Sequence, residues 1–274
     1  MLEKLTDNDF KKFRDLIYNS SGIHFTEVNR PILESRLKDR LKKGNHSTLD
    51  EYYKIITRND AELKNLLDAV TTNLTSFFRN SIQFYALETG VIEALKKNKT
   101  DRTIKIWSAG CSTGEEPYSI AMVLKEKLDE SWKIEIIASD ISFNVLMKAK
   151  EGFYHSSKIA GIPPNYVKKY MIEVGDGYQI KDEIKRLIRF DYHNLKYDSG
   201  LKSFDVIFCR NVIIYFDSKG QEDVINKFYN AMNDFSYLFI GHSESLFGMN
   251  TKFIFTKIGE ACLYMKKEGK YRDK

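Results

Sequence analysis

No stretch of this 274-residue chain approaches the roughly 20 consecutive apolar residues that a membrane span needs. The opening Met1-Leu2-Glu3-Lys4-Leu5-Thr6-Asp7 is polar and acidic, so a secretory leader is not expected. Cysteine is scarce. Cys111, Cys209 and Cys262 are far apart, odd in number and without metal-ligand spacing. A disulfide framework and a zinc site are therefore not expected, and reduced thiols in a cytoplasmic protein are the natural reading. No internal repeat or low-complexity segment is visible. The excess of one charge sign is small, 43 Lys and Arg against 38 Asp and Glu. A net charge of +5 allows an acidic partner without requiring one. With 42% hydrophobic residues the chain has the composition of an ordinary globular protein, long enough for one large domain and a small one.

Residues 1–70 carry helical periodicity only. Thr6 with Asp9 forms a capping-box-like start, and Phe10, Phe13, Leu16 and Ile17 share one face. Gly22 stops that helix. Leu33, Leu37 and Leu41 make a second stripe, which Gly44 ends after Lys42 and Lys43. Thr48 and Glu51 frame a third helix, and Leu63, Leu66, Leu67 and Val70 mark a fourth. The second helix also bears Arg30, Arg36, Lys38, Arg40, Lys42 and Lys43, either a solvated face or a docking surface for something acidic. Residues 71–80 break the pattern with a polar cluster, two aromatics and Arg79. A linker with buried Phe77 and Phe78 is one reading, but the polar residues are unusually dense for that role, since Asn73, Thr75 and Arg79 can all project into one cavity. Another helix, with Phe84, Leu87, Ile92 and Leu95, follows.

From residue 104 the pattern changes. Residues 104–119 run as a strand, a turn of small residues and a helix, the nucleotide-binding element of a doubly wound sheet. Residues 133–140 form a second strand ending in Asp140. Residues 151–170 read as irregular, and residues 170–180 as a hairpin around Asp176-Gly177. Strands are expected at 187–191, 204–209 and 237–241, with a helix between the last two carrying Val224, Ile225, Phe228 and Met232. Residues 253–257 and 261–265 form an antiparallel end pair. The fold class is α/β: a mostly parallel Rossmann-like sheet preceded by an all-helical domain.

Gly110-Cys111-Ser112-Thr113-Gly114 has the form of an esterase nucleophile elbow, yet His193 and His242 are not placed as triad partners. A Walker loop is excluded, since no Gly-Lys-Ser/Thr is present. Glu115 and Glu116 in the first helical turn would repel a phosphate and attract an ammonium. S-adenosylmethionine, with an amino group, a sulfonium and no phosphate, suits this element. Asp140 is then the acceptor for its ribose hydroxyls, or on its own merely a helix cap. Many methyltransferases place a carboxylate two residues before the first glycine of the turn. Ser108 stands there, so the ammonium needs the glutamates after the turn.

Five segments together resemble the CheR family of chemotaxis receptor methyltransferases. They are Thr71-Thr72-Asn73-Leu74-Thr75-Ser76-Phe77-Phe78-Arg79, residues 107–119 with Gly114-Glu115-Glu116-Pro117, Ala138-Ser139-Asp140-Ile141, residues 204–217 with Cys209-Arg210-Asn211-Val212, and Gly241-His242-Ser243-Glu244-Ser245. The resemblance runs almost the whole chain. It implies methylation of glutamate side chains on chemoreceptors by S-adenosylmethionine, giving glutamyl methyl esters and S-adenosylhomocysteine, for chemotactic adaptation. It implies a helical receptor-docking domain at 1–75 and a catalytic domain at 76–268, with a small β-subdomain near 170–190. In some members that subdomain grips a tethering peptide of the receptor; the hairpin here is short. It places Asn73, Thr75, Arg79, Glu116, Asp140, Asn194, Leu195, Arg210 and Asn211 at the cofactor, with Tyr215 nearby.

A glutamate acceptor is already ionised at neutral pH, so no general base is required. Alignment and desolvation are the main tasks, with Arg79 to hold the carboxylate and Tyr215 to orient it; alternatively Arg79 is a structural partner of Glu116. The basic helix then faces a Glu-rich receptor coil, and Arg36 and Arg40 are its expected contacts. A nucleic-acid methyltransferase would need an Asn/Asp-Pro-Pro-Tyr-like motif where Cys209-Arg210-Asn211-Val212 stands, so nucleic acid is not the expected substrate. A non-catalytic sensor of S-adenosylmethionine is the other alternative, against which Arg79 and Tyr215 speak. A monomer without membrane insertion is expected.

Overall fold

The computed structural model describes residues 4–267, so the end of the expected catalytic domain at residue 268 lies just outside the described residues. Four helices come first: α1 (Asp7–Ser21), α2 (Arg30–Gly44), α3 (Leu49–Ile56) and α4 (Asp60–Val70). Their starts follow the capping signals. The Thr6 hydroxyl accepts from the Asp9 N–H at 3.1 Å, and Thr48 from the Glu51 N–H at 3.2 Å. Gly22 closes α1 in the left-handed conformation. At the end of α2, Asn45 rather than Gly44 takes that conformation, because its N–H caps the carbonyls of Leu41 and Lys42. The apolar stripes meet in one core of Phe10, Phe13, Ile17, Leu33, Leu37, Leu41, Tyr52 and Leu66.

The link to the second part of the chain is α5 (Ser81–Ala86), a π-helical turn (Leu87–Val91) and α6 (Ile92–Asn98). Then follow β1 (Thr103–Ala109), α7 (Glu115–Lys127), β2 (Lys133–Asp140), α8 (Phe143–Glu151), β3 (Phe153–His155), α9 (Pro164–Tyr170), β4 (Met171–Val174), β5 (Gly177–Ile180), α10 (Asp182–Lys185), β6 (Ile188–Tyr192), β7 (Phe204–Cys209), α11 (Ser218–Ala231), β8 (Met232–Ile240), β9 (Ile254–Ile258) and β10 (Ala261–Lys266). Seven strands form one sheet in the order β6-β2-β1-β7-β8-β10-β9. The first five run parallel and the last two pair antiparallel. The chain moves outward from β1 through β2 to β6, then returns to the other side of β1 with β7. This reversal makes the carboxyl ends of β1, β2 and β7 a topological switch point, where such sheets bind ligands. The buried residues on the two faces of the sheet form separate apolar clusters, which explains the continuous burial of β7.

Three local expectations change. The segment expected to be irregular contributes β3 and α9, and β3 pairs with β5 to complete a three-stranded sheet, β3-β5-β4. The small sheet thus begins at Phe153, whereas Ile188 belongs to the main sheet beside Ile136. A three-residue strand is too short to show alternation in sequence, and pairing alone creates it. Met232, expected on the last helix, starts β8 opposite Phe204, because an extended backbone at that point lets it join β7.

Candidate active site

The turn after β1 is held by the end of β2. The N–H groups of Gly110 and Cys111 both reach the Ser139 carbonyl, at 2.8 and 2.9 Å. Gly110 has φ +84°, and a Cβ there would stand 2.4 Å from Val212 Cγ2, so only glycine fits between this turn and the segment after β7. Ser112 is also left-handed and directs its N–H to Asp140 Oδ2 at 2.8 Å. The other oxygen of Asp140 accepts from the Ser142 N–H at 2.9 Å. Burial pushes the Asp140 carboxyl up from its ordinary value, against the pull of those N–H groups. Each oxygen retains a lone pair for a ligand hydroxyl.

The two glutamates at the start of α7 part company. Successive helical residues point about 100° apart. Glu115 turns away from the cavity and takes the Thr113 hydroxyl at 2.6 Å. Glu116 faces the cavity, so only one of the pair is placed to meet an ammonium. Its Oε1 accepts from Ser108 Oγ at 2.7 Å, and its Oε2 lies 3.3 Å from Arg210 Nη1. The side chains of Arg210 and Glu116 keep only 4% and 12% of their exposure. Desolvation raises the Glu116 carboxyl above its ordinary value, while Arg210 and Ser108 oppose the shift. Ser108, noted in the sequence for the acid it lacks, is therefore the hydroxyl that orients Glu116.

One cavity at the switch point is lined by all ten residues named from the sequence: Asn73, Thr75, Arg79, Glu116, Asp140, Asn194, Leu195, Arg210, Asn211 and Tyr215. Their side chains are not equally free. Arg79 donates to the Leu74 carbonyl at 3.0 Å and has no ion pair among the described residues; the partner of Glu116 is Arg210, not Arg79. Asn194 Nδ2 donates to the Ser20 carbonyl at 2.9 Å, and its Oδ1 accepts from the Lys196 N–H at 3.0 Å, which commits that amide to the structure. Asn73 accepts Ser112 Oγ at its backbone carbonyl at 3.0 Å. Asn211, left-handed at φ +58°, is fixed through its N–H to Glu244 Oε2 at 2.9 Å. The Tyr215 hydroxyl reaches the Thr72 carbonyl at 3.4 Å.

Ser21, Ile23, Val212 and Ile214 also line the cavity. No local pattern marks Ser21 and Ile23, since they come from the helical domain. That domain forms a second wall because it is clasped to the sheet. Tyr18 donates to Asp217 Oδ2 at 3.0 Å, Asn144 Nδ2 to Asp68 Oδ2 at 2.6 Å, and the Ser142 hydroxyl also bonds Asp68. The basic face of α2 is thinner than its sequence suggests. Arg40 is half-buried and pairs with Glu62, which also accepts the Tyr52 hydroxyl at 2.9 Å. Arg30 pairs with Asp7 and Lys38 with Glu34, both at 2.7 Å. Among the described residues Arg36, Lys42 and Lys43 have no ion pair. Arg40 is thus a structural residue and not an expected receptor contact.

Residues 8–71 match the family model described as the CheR methyltransferase all-alpha domain, and residues 73–262 match the CheR methyltransferase SAM binding domain. The chain belongs to the CheR methyltransferase family. A chemotaxis protein methyltransferase of Borreliella burgdorferi is 38% identical over 89% of this chain and 90% of its own. Chemotaxis protein methyltransferase 2 of Vibrio cholerae is 35% identical over 96% and 94%. That of Salmonella typhimurium is 34% identical over 91% and 88%. The protein is an S-adenosylmethionine-dependent methyltransferase of the CheR family, with a Rossmann-like sheet behind an all-helical domain. The cavity's donor set fits that cofactor: a buried carboxylate at Glu116, a second at Asp140, and a buried Arg210 Nε without a partner. No helix among the described residues is long and apolar enough to cross a membrane.

Proposed function

We propose that this CheR enzyme methylates glutamate side chains in the Glu-rich helical cytoplasmic region of chemoreceptors, giving glutamyl methyl esters for chemotactic adaptation. The observation that carries this reading is the composition of one cavity. It combines a buried carboxylate, Glu116, with a guanidinium that has no ion pair among the described residues, Arg79, and a tyrosine hydroxyl, Tyr215. The names of the curated relatives support the receptor as acceptor. Residues 1–75 serve as the receptor-docking domain and 76–268 as the catalytic domain of a cytoplasmic monomer.

Glu116 holds the ammonium of the cofactor's amino-acid part, and Asp140 accepts from the ribose hydroxyls. Leu195 packs on the adenine, and Asn194 shapes that end of the pocket through its bond to Ser20 rather than by its own amide. Asn73, Thr75, Arg210 and Asn211 close the walls. When bound, S-adenosylmethionine supplies a methyl group on a sulfonium that departs as a neutral thioether. Arg79 holds one oxygen of the acceptor carboxylate and leaves the other free to attack. Its positive charge keeps that carboxylate ionised as water is excluded. Tyr215 orients the same group by hydrogen bond. Burial raises the Glu116 carboxyl, so Arg210 and Ser108 are needed to keep it charged for the ammonium.

The test is methyl transfer from tritiated S-adenosylmethionine to receptor-containing membranes, with RNA as the competing acceptor. Base-labile label on the receptor is the expected result. Label that survives base, or that goes to RNA, would overturn the glutamyl-ester reading.

A further inference from the structure

A second hollow adjoins the cavity and shares two residues with it, Arg79 and Arg210. It lies between α5, the segment after β8, and the β9–β10 hairpin. Ile82 and Phe255 stand on its walls with 44% and 53% of their surface exposed, in a fold that buries most residues of their kind. Beneath them the polar groups are incompletely paired. Gln83 is 4% exposed and donates Nε2 to the Ile240 carbonyl at 2.8 Å, which fixes the amide orientation and leaves Oε1 without a partner. Glu244 uses Oε2 for the N–H groups of Gly241 and Asn211, and its buried Oε1, like that of Gln83, has no partner among the described residues. Buried acceptors of this kind ordinarily find a donor.

We propose that this hollow is the docking groove of the acceptor polypeptide. It seats the receptor helix beside its target glutamate, with apolar side chains against Ile82 and Phe255, over the incompletely paired Gln83 and Glu244. Continuity decides the occupant. The groove opens at Arg79, the residue assigned to the acceptor carboxylate, so a chain lying in it delivers a side chain to the methyl-transfer cavity. Glu116 and Asp140, assigned above to the cofactor, line the first cavity and not the groove. The assignment rests on the receptor being the acceptor.

The groove carries its own reporter. Cys262 lines it and is exposed, whereas Cys111 and Cys209 are buried, with thiols pushed well up by desolvation. A maleimide therefore labels Cys262 selectively. Receptor-containing membranes should slow that labelling, and S-adenosylhomocysteine alone should not. Alkylated enzyme, and the surface variants Ile82→Glu and Phe255→Glu, should show a receptor KM raised about tenfold or more, with S-adenosylhomocysteine affinity within about twofold of wild type. Wild-type enzyme that labels no receptor would overturn the acceptor class and this occupant with it. Wild-type enzyme that labels receptor, while both variants and the alkylated protein keep their KM and membranes leave Cys262 unprotected, would overturn the groove alone.

Discussion

Replacing Glu116 by glutamine removes one negative charge from the cavity wall and keeps the size of the side chain. The glutamine can still accept from Ser108, 2.7 Å away, so the wall should hold its shape. What is lost is the charge opposite the cofactor's ammonium, and with it the 3.3 Å ion pair to Arg210 Nη1. A charge-assisted hydrogen bond in a buried place contributes about 1.5–3 kcal/mol, which corresponds to a Kd for S-adenosylhomocysteine roughly 10- to 150-fold weaker. The pH dependence sharpens the test. Burial raises the folded-state pKa of Glu116, so its protonated form favours the folded protein without ligand. That contribution is present below the unfolded-chain value and lost as pH rises through the raised folded value. Cofactor binding runs the other way, because it requires the ionised form. Wild-type affinity should therefore be flat near neutral pH and fall by about tenfold per pH unit on the acid side of the raised value. Asp140 is raised as well, so some acid loss will remain in Glu116→Gln, but the slope should be reduced. Titration calorimetry between neutral and mildly acidic pH reads both effects, and urea unfolding checks that the variant is folded. Wild-type affinity in folded Glu116→Gln, or an unchanged acid slope, would remove Glu116 from the ammonium site.

Arg79→Ala should lower kcat for receptor methylation by about 100-fold while changing S-adenosylhomocysteine affinity much less, since orientation of the acceptor is what it loses; an equal loss in both would make it a cofactor residue only. Arg40→Ala should destabilise the helical domain by roughly 1.5–3 kcal/mol in urea unfolding, because it leaves the half-buried Glu62 without its cation. Arg36→Glu, on the same helix but without an ion pair, should instead raise receptor KM with stability unchanged; the opposite pattern would restore Arg40 to the docking face. Gly110→Ala should abolish cofactor binding in calorimetry, since the added Cβ meets Val212 at 2.4 Å, whereas Gly175→Ala, with nothing within 4 Å of its Cβ, should bind normally.

How much of the site was legible follows from the kind of contact each residue makes. Asp140 and the 110–114 turn sit in a continuous strand–turn–helix unit, so local pattern placed them at the switch point. Residues 71–79 carried a dense polar and aromatic signal and 210–215 entered through the resemblance; apart from Phe77, Phe78 and Ile213, which pack in the core, they line the same cavity. What misled was spacing without direction. Glu115 and Glu116 are neighbours in sequence, yet the helical step sends one to Thr113 and the other to the cavity. The cations of α2 look alike in sequence, but Arg40 has a half-buried carboxylate 22 positions away, and no local rule finds Glu62.

The sequence by itself determined the helical domain, the parallel sheet, the turn and the class of ligand, because each rests on short-range periodicity or on residues within one turn of a helix. Tertiary structure alone decided that β3 completes the small sheet, and that Ser21 and Ile23 of the helical domain close the cavity. It also decided that Arg210 rather than Arg79 neutralises Glu116, and that a second groove opens where Arg79 stands. Each of these depends on groups far apart in the chain being brought within hydrogen-bonding or van der Waals reach. Such contacts leave no periodic trace in the sequence, because they are set by how whole elements pack and not by the residues next to them.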